Sequence, residues 1–422
     1  MRTATVPANP LDDLSEVGVH DEYRRRALGE LSDQQLVDSA AALIGVPRAE
    51  VSGDRHSFVL HAPLELLARA ALLPLVTPTA REQARLRIVA LVAGYQASGP
   101  PVDSPPEVDL GSRAEAATVL AQAIAAEDLE GADAAAAWLG RRVRPDEIVS
   151  LLADTVIDRL SAAGHGNIYL ALLARTQPRG LPGQMLRHPV RALASGSNHR
   201  IHLPAARTAP DAPHGSADAL LGAVARTEVI GPPPSFFIAP MVEHAQGHGV
   251  FERFVDDVAF TAPATPPYRL LRFAAQAMLQ GPDEHVAFGW THCLTLAQAP
   301  LVISSACDSP AQAVYVAAAY LAAHWAGLGR GTVDLEHVPE KIEVDVAGAL
   351  QETPATAAAA AWHHPDRDET TAALTTSASE GEDTHRVKYT LACLDAAAAD
   401  PTHRSLYLAA AAHLNAWWNQ HR

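Results

Sequence analysis

The feature that most restricts the fold is a set of long, alanine-rich segments whose apolar residues recur at helical spacing. ADAAAAWLGRRVRPDEIVSLLADTVIDRLSAAG (132–164), PLELLARAALLPLV (63–76), AQAVYVAAAYLAAHWAGL (311–328) and RSLYLAAAAHLNAWW (404–418) all follow the helical period. Aromatic residues amount to 5% and β-branched runs are few, so little in the chain favours sheet. The expectation is an all-α protein, a compact multi-helix array whose small side chains let helices approach closely. Two short runs, TVDLEHV (332–338) and KIEVDVA (341–347), are expected as strands.

Proline marks the breaks, because it removes a donor and blocks helix continuation. ASGPPVDSPPEVD (97–109) is a connection, residues 203–240 read as irregular, and APATPPY (262–268) ends a third break. No internal repeat is apparent. The organisation expected is one helical domain over 1–422, with an N-terminal extension at 1–24 and an irregular insertion or lid at 189–268.

Several function classes are disfavoured. A net charge of -16 makes nucleic acid and anionic membrane surfaces poor partners. Cys293, Cys307 and Cys393 are too scattered for a disulfide framework or a zinc ribbon. The N-terminus lacks the apolar core of a signal peptide, and no run approaches the roughly 18 apolar residues of a membrane span. A cytoplasmic protein is expected. No GxGxxG fingerprint, P-loop or GxSxG elbow is present, and GLGRGT (327–332) follows a helix, which makes it a turn.

The chain holds 20 histidines. Five sit at helix starts or within apolar helices: His61 in FVLHAPLELLARA, His165 in AAGHGNIYLALLA, His292 in FGWTHCLTLAQAP, His324 in YLAAHWAGL and His385 in DTHRVKYTLAC. One such histidine is ordinarily a hydrogen-bonded core residue. Five need many buried partners, and a shared metal would satisfy several at once. The lysines sharpen this. Among 32 lysines and arginines only Lys341 and Lys388 are lysine, and Lys388 shares a helix face with His385 three residues earlier. A neutral amine, or a carbamate formed with carbon dioxide, can bind a metal where a guanidinium cannot. A salt bridge to Glu382 or Asp383 at a solvated helix end is the alternative. A competing face runs through His244, His248, Glu252 and Asp256, at successive i+4 positions. It lacks the metalloprotease pattern, and Gly247 and Gly249 weaken the helix, so His244 and His248 read better as a wall or lid of the site.

Taken together, HAPLELLARAALLP, AAGHGNIYLALLAR, FGWTHCLTLAQAP (His292 to Thr295) and THRVKYTLACL, in this order, resemble the motifs of the questin oxidase-like family. Residues 189–268 match nothing in that pattern. The resemblance implies an all-helical oxygenase acting with molecular oxygen on a small aromatic, anthraquinone-like polyketide, by oxygen insertion beside a ring carbonyl or by ring cleavage. It also implies a non-haem Fe(II) site whose ligands would be His61, His165, His292, His385 and Lys388. His324 would then serve as a proton relay; Trp290, Phe288, Tyr320 and Trp325 are candidates for pocket walls, with ordinary core aromatics as the alternative and commoner role. A reductant such as NADPH and a homodimer stay open. Two other classes also stay open: a zinc hydrolase or lyase built on the same cluster, and a metal-free helical binding protein whose histidines do not converge.

Overall fold

The computed structural model describes residues 9–11, 28–49, 56–176, 183–195, 199–203, 214–215, 217–252, 259–260 and 267–421. Helix accounts for 72% of the structure. The helices are α1 (Asp33–Ile44), α2 (His56–Leu72), α3 (Arg81–Gln96), α4 (Arg113–Ala125), α5 (Leu129–Gly140), α6 (Pro145–Val156), α7 (His165–Thr176), α8 (Arg187–Ser195) and α9 (Ala217–Ala225). They continue with α10 (Ile238–Gly247), α11 (Leu271–Gln280), α12 (Thr291–Ile303), α13 (Pro310–Leu328), α14 (Val346–Ala349), α15 (Pro354–His363), α16 (Arg367–Glu380), α17 (Thr384–Ala399) and α18 (Arg404–Gln420). The only strand pair among the described residues is two residues long, His214–Gly215 beside Ala259–Phe260.

Local signals explain the helix starts. Ser32 and Ser112 each form a reciprocal capping box, with Gln35 and Glu115, which satisfies donors that α1 and α4 would otherwise leave bare. Proline opens α6, α13 and α15, where its missing N–H costs nothing. Helices α12 and α13 are buried on every side; all of Ala313–Leu328 is inside. That is the pattern of core helices rather than surface ones. Around them, α2, α7, α12 and α17 pack in a closed cycle: α2 on α7, α7 on α12, α12 on α17, and α17 back on α2.

Three expectations are corrected here. Neither 332–338 nor 341–347 forms a strand. In the first, the backbone finds its partners in side chains: Gln276 Nε2 donates to the carbonyls of Leu335 and His337, and Gln280 bonds both the N–H and the carbonyl of Asp334. The second ends in α14, capped by Asp345. The stretch 189–268 is not irregular where it is described. It carries α9 and α10, both packed on α13, and the Ile230 N–H donates to the carbonyl of Ala326. The prolines at 232–234 separate two helices rather than abolish them. Finally, the helical stretch Asp283–Ala306 is long and apolar enough by composition to cross a membrane, though 83% of its most apolar window is buried inside the fold.

Burial sets a pH dependence away from the histidine cluster. The rings of His188 and His413 are pushed down to about 4 by desolvation; for His188, Arg187 and Arg191 push the same way, against the bond its Nε2–H gives the Ile44 carbonyl. Above pH 6.5 these rings are neutral in both folded and unfolded chains and contribute no slope. Between 6.5 and about 4 only the unfolded chain takes up the protons, so stability must fall as pH falls, and the loss is complete below about 4. From pH 7 to pH 5 each ring should cost about 2 kcal/mol. Urea unfolding at the two pH values checks this: His188→Gln should lose less stability between them than the parent.

Candidate metal centre

Three of the four helices in the cycle present a histidine in their first turn. His165 opens α7, His292 is the second residue of α12, and His385 is the second residue of α17; His61 lies further along α2. The chain is shaped at each start. Ahead of α7, Gly164 adopts φ +70°, and a Cβ there would stand 2.8 Å from Leu296 Cδ2, so only glycine fits both the backbone and the packing. Ahead of α12, Val286–Trp290 form a π-helical turn, a widening often found at functional sites. Its Phe288 carbonyl accepts from His292 Nδ1 at 2.5 Å. Ahead of α17, the Asp383 carboxylate caps the helix and also takes the Nδ1–H of His385 at 3.0 Å.

The four imidazoles come together. Ring centroids are 4.5 Å apart for His61 and His165, 5.7 Å for His165 and His292, 4.9 Å for His292 and His385, and 5.0 Å for His385 and His61. One ligand atom from each of His61, His165 and His292 lies within 4.8 Å of the others, and all three residues are buried. His385 borders this trio. The arrangement fits a metal on two counts. Imidazole nitrogens about 2 Å from a shared ion stand roughly 3 Å apart, and the 4.8 Å limit here is the wider spacing of a cluster before an ion draws it together. Fixing Nδ1–H on a carbonyl or carboxylate leaves Nε2 as the donor, as metal sites do. In His292 that Nε2 is buried with no hydrogen-bond partner among the described residues.

The charge state agrees. Burial pushes His292 and His385 well below the ordinary histidine value; His385 and Lys388 add to this for His292, and Lys388 for His385. Both rings are therefore neutral, the form that ligates. Lys388 is 2% exposed, and its Nζ has no hydrogen-bond partner among the described residues. Desolvation pulls it down to about 8, against the charges of Asp383 and Glu65. The salt-bridge alternative for this lysine does not form: Glu382 pairs with Arg87, and Asp383 serves the helix cap and His385.

His324 belongs to the same neighbourhood. It is wholly buried on α13, gives Nδ1–H to the Tyr320 carbonyl at 2.7 Å, and acts electrostatically on His292. His244 and His248 do not join the cluster: they contact each other, at 4.4 Å, and no ring of the cluster among the described residues. The expected i+4 face is broken, because α10 ends at Gly247 and Gly249 turns the chain at φ +68°. Asp256 lies outside the described residues. Of the aromatic residues weighed as pocket wall or core, Trp290 and Trp325 are core, each giving its Nε1–H to a carbonyl, of Pro282 and Gly331 respectively. Phe288 is 57% exposed and stands edge-on to His385 at 5.0 Å.

Sequence reasoning missed the buried pair Glu65–Arg69. Arg69 donates to Glu65 at 2.7 Å and to the carbonyls of Ser379 and Gly381, while the Thr384 hydroxyl donates to the other Glu65 oxygen at 2.5 Å. This network locks α2 to the start of α17, and so His61 to His385 and Lys388. The available signal was a glutamate four residues after His61 and an arginine four after that, inside an otherwise apolar run.

Compared with known proteins, the chain matches no family model, no curated protein and no solved structure.

Glu65→Gln is expected to leave the buried Arg69 without its counter-ion and to cost roughly 3–5 kcal/mol of stability. Because the same carboxylate holds Thr384, metal retention in a chelator competition should weaken by about 10–100-fold. Unchanged retention would make the network structural only.

Proposed function

We propose that the chain is a metal-dependent oxidoreductase, a non-haem iron oxygenase acting on a small aromatic, polyketide-like substrate. The observation that carries this reading is the buried trio His61, His165 and His292, its ligand atoms within 4.8 Å of one another. Ferrous iron in that position would supply one-electron redox chemistry and a coordination position for molecular oxygen. His61, His165 and His292 would hold it, with His385 beside them. The Phe288 carbonyl and the Asp383 carboxylate keep His292 and His385 in the tautomer that offers Nε2. Burial of His61, His165 and His292 limits access of bulk water, while His385 is partly exposed at the edge. Lys388 supplies what a guanidinium cannot: an amine able to donate when neutral, or to carry a carbamate that offsets the charge of a dication bound by neutral imidazoles. The choice of iron and of an aromatic substrate rests on the likeness of four short motifs to the questin oxidase-like family.

One observation favours a second reading. The trio contains no carboxylate, and three neutral imidazoles are also a zinc donor set. A zinc hydrolase or lyase would use the same cluster.

Metal analysis of freshly purified protein separates the two. The proposal expects near-stoichiometric iron, lost in His61→Ala and His292→Ala, together with oxygen uptake driven by a hydroxyanthraquinone. Zinc without oxygen uptake favours the second reading, and absence of any metal sinks both. Lys388→Arg tests the lysine. It should abolish metal retention and oxygen uptake while circular dichroism stays helical, since arginine and lysine have similar helix propensity.

A further inference from the structure

Beyond the histidines, the same helices enclose a cavity of about 310 Å³ between α7, α12 and α17. Its wall is mostly apolar, with Ile168 and Leu172 from α7, Ala299 and Val302 from α12, and Leu391 from α17. These residues follow His165, His292 and His385 along their own helices, so the cavity runs away from the cluster. Most of its polar side chains are already engaged. The Thr295 hydroxyl donates to the Thr291 carbonyl, and Gln298 Nε2 donates to the Ala392 carbonyl. Arg175 and Asp395 pair with each other at 2.9 Å where the wall meets solvent. Lys388, one turn from His385, is different: it lines the cavity, is 2% exposed, and its Nζ has no hydrogen-bond partner among the described residues.

We propose that this cavity binds a slim apolar molecule bearing one anionic oxygen, a carboxylate or phenolate, with that oxygen on Lys388 Nζ and the body between α7 and α12. A buried ammonium without a partner costs several kcal/mol, and an anion removes that cost. The apolar wall selects the rest of the molecule, and the volume lies at the small end of ligand pockets, enough for roughly a dozen non-hydrogen atoms. The inference goes beyond the metal reading and needs no metal.

Isothermal titration calorimetry at pH 7 tests it, with naphthalene-2-carboxylate and its neutral counterpart naphthalene-2-carboxamide as probes. The full chain is used both as purified and after chelator treatment. The carboxylate should bind at least tenfold more tightly than the amide to the chelator-treated chain, where no metal competes for Lys388. Lys388→Met should erase that preference. Ala171→Phe and Val302→Phe each add a ring to the cavity from a half-buried position. They should weaken both probes tenfold or more, with metal content and thermal melting unchanged. Equal affinity for the two probes, no binding of either to folded protein, or indifference to both wall variants overturns the proposal. Carboxylate binding that weakens in metal-loaded protein supports the cavity and Lys388 as a metal donor together. Undiminished, Lys388-dependent binding in metal-loaded protein supports the cavity and removes Lys388 from the metal.

Discussion

Helices α7, α12 and α17 bring His165, His292 and His385 together with His61 of α2, and the cost of placing charge there governs the rest of the site. Burial keeps the imidazoles of His292 and His385 neutral, with the Lys388 charge adding to it, and desolvation draws the Lys388 amine down to about 8. A dication placed on three neutral rings at such a point needs negative charge close by. The carboxylates whose charge reaches Lys388 are Glu65 and Asp383, and both are already engaged, Glu65 with Arg69 and Thr384, Asp383 with a helix cap and His385. The site thus has donors in plenty and little free anionic charge.

The geometry depends on long-range restraint as much as on helix chemistry. The Glu65–Arg69 pair is buried and reaches more than 300 residues along the chain, to Ser379, Gly381 and Thr384. Such a pair is expensive to bury and adds little net stability, but it fixes one helix against another in a single register. Its position, one turn after His61 and against the start of α17, ties that register to the cluster.

What could be read from the sequence follows from this division. The helical class was legible because apolar periodicity is local. The setting of His61, His165, His292 and His385 at helix starts or on apolar faces was local too. Their meeting point was not: the shared setting and a resemblance pointed to convergence, but the place requires the cycle of α2, α7, α12 and α17, which no local pattern encodes. The expected strand at 332–338 failed for a non-local reason, since Gln276 and Gln280 on α11 take the backbone partners that a neighbouring strand would have supplied. The His244–Asp256 face, which Gly247 and Gly249 already argued against in the sequence, is broken for that local reason: Gly249 turns the chain before the face is complete.

Lysine rarity alone proved a weak guide, because Lys341 is as rare as Lys388 and is simply exposed. Burial is what separates them. At position 388 an arginine would bring five donors and a charge it cannot shed into a wall that is mostly apolar, whereas a lysine brings three donors and can become neutral. That argument holds whichever way Nζ is used, and the two uses exclude one another. As a carbamate the side chain is an anion, suited to a cation among the histidines and repelling an anion in the cavity. As an ammonium it repels the cation and attracts the anion. The same atom, placed between a ring of imidazoles and an apolar cavity, therefore makes occupancy of one site a condition on the other.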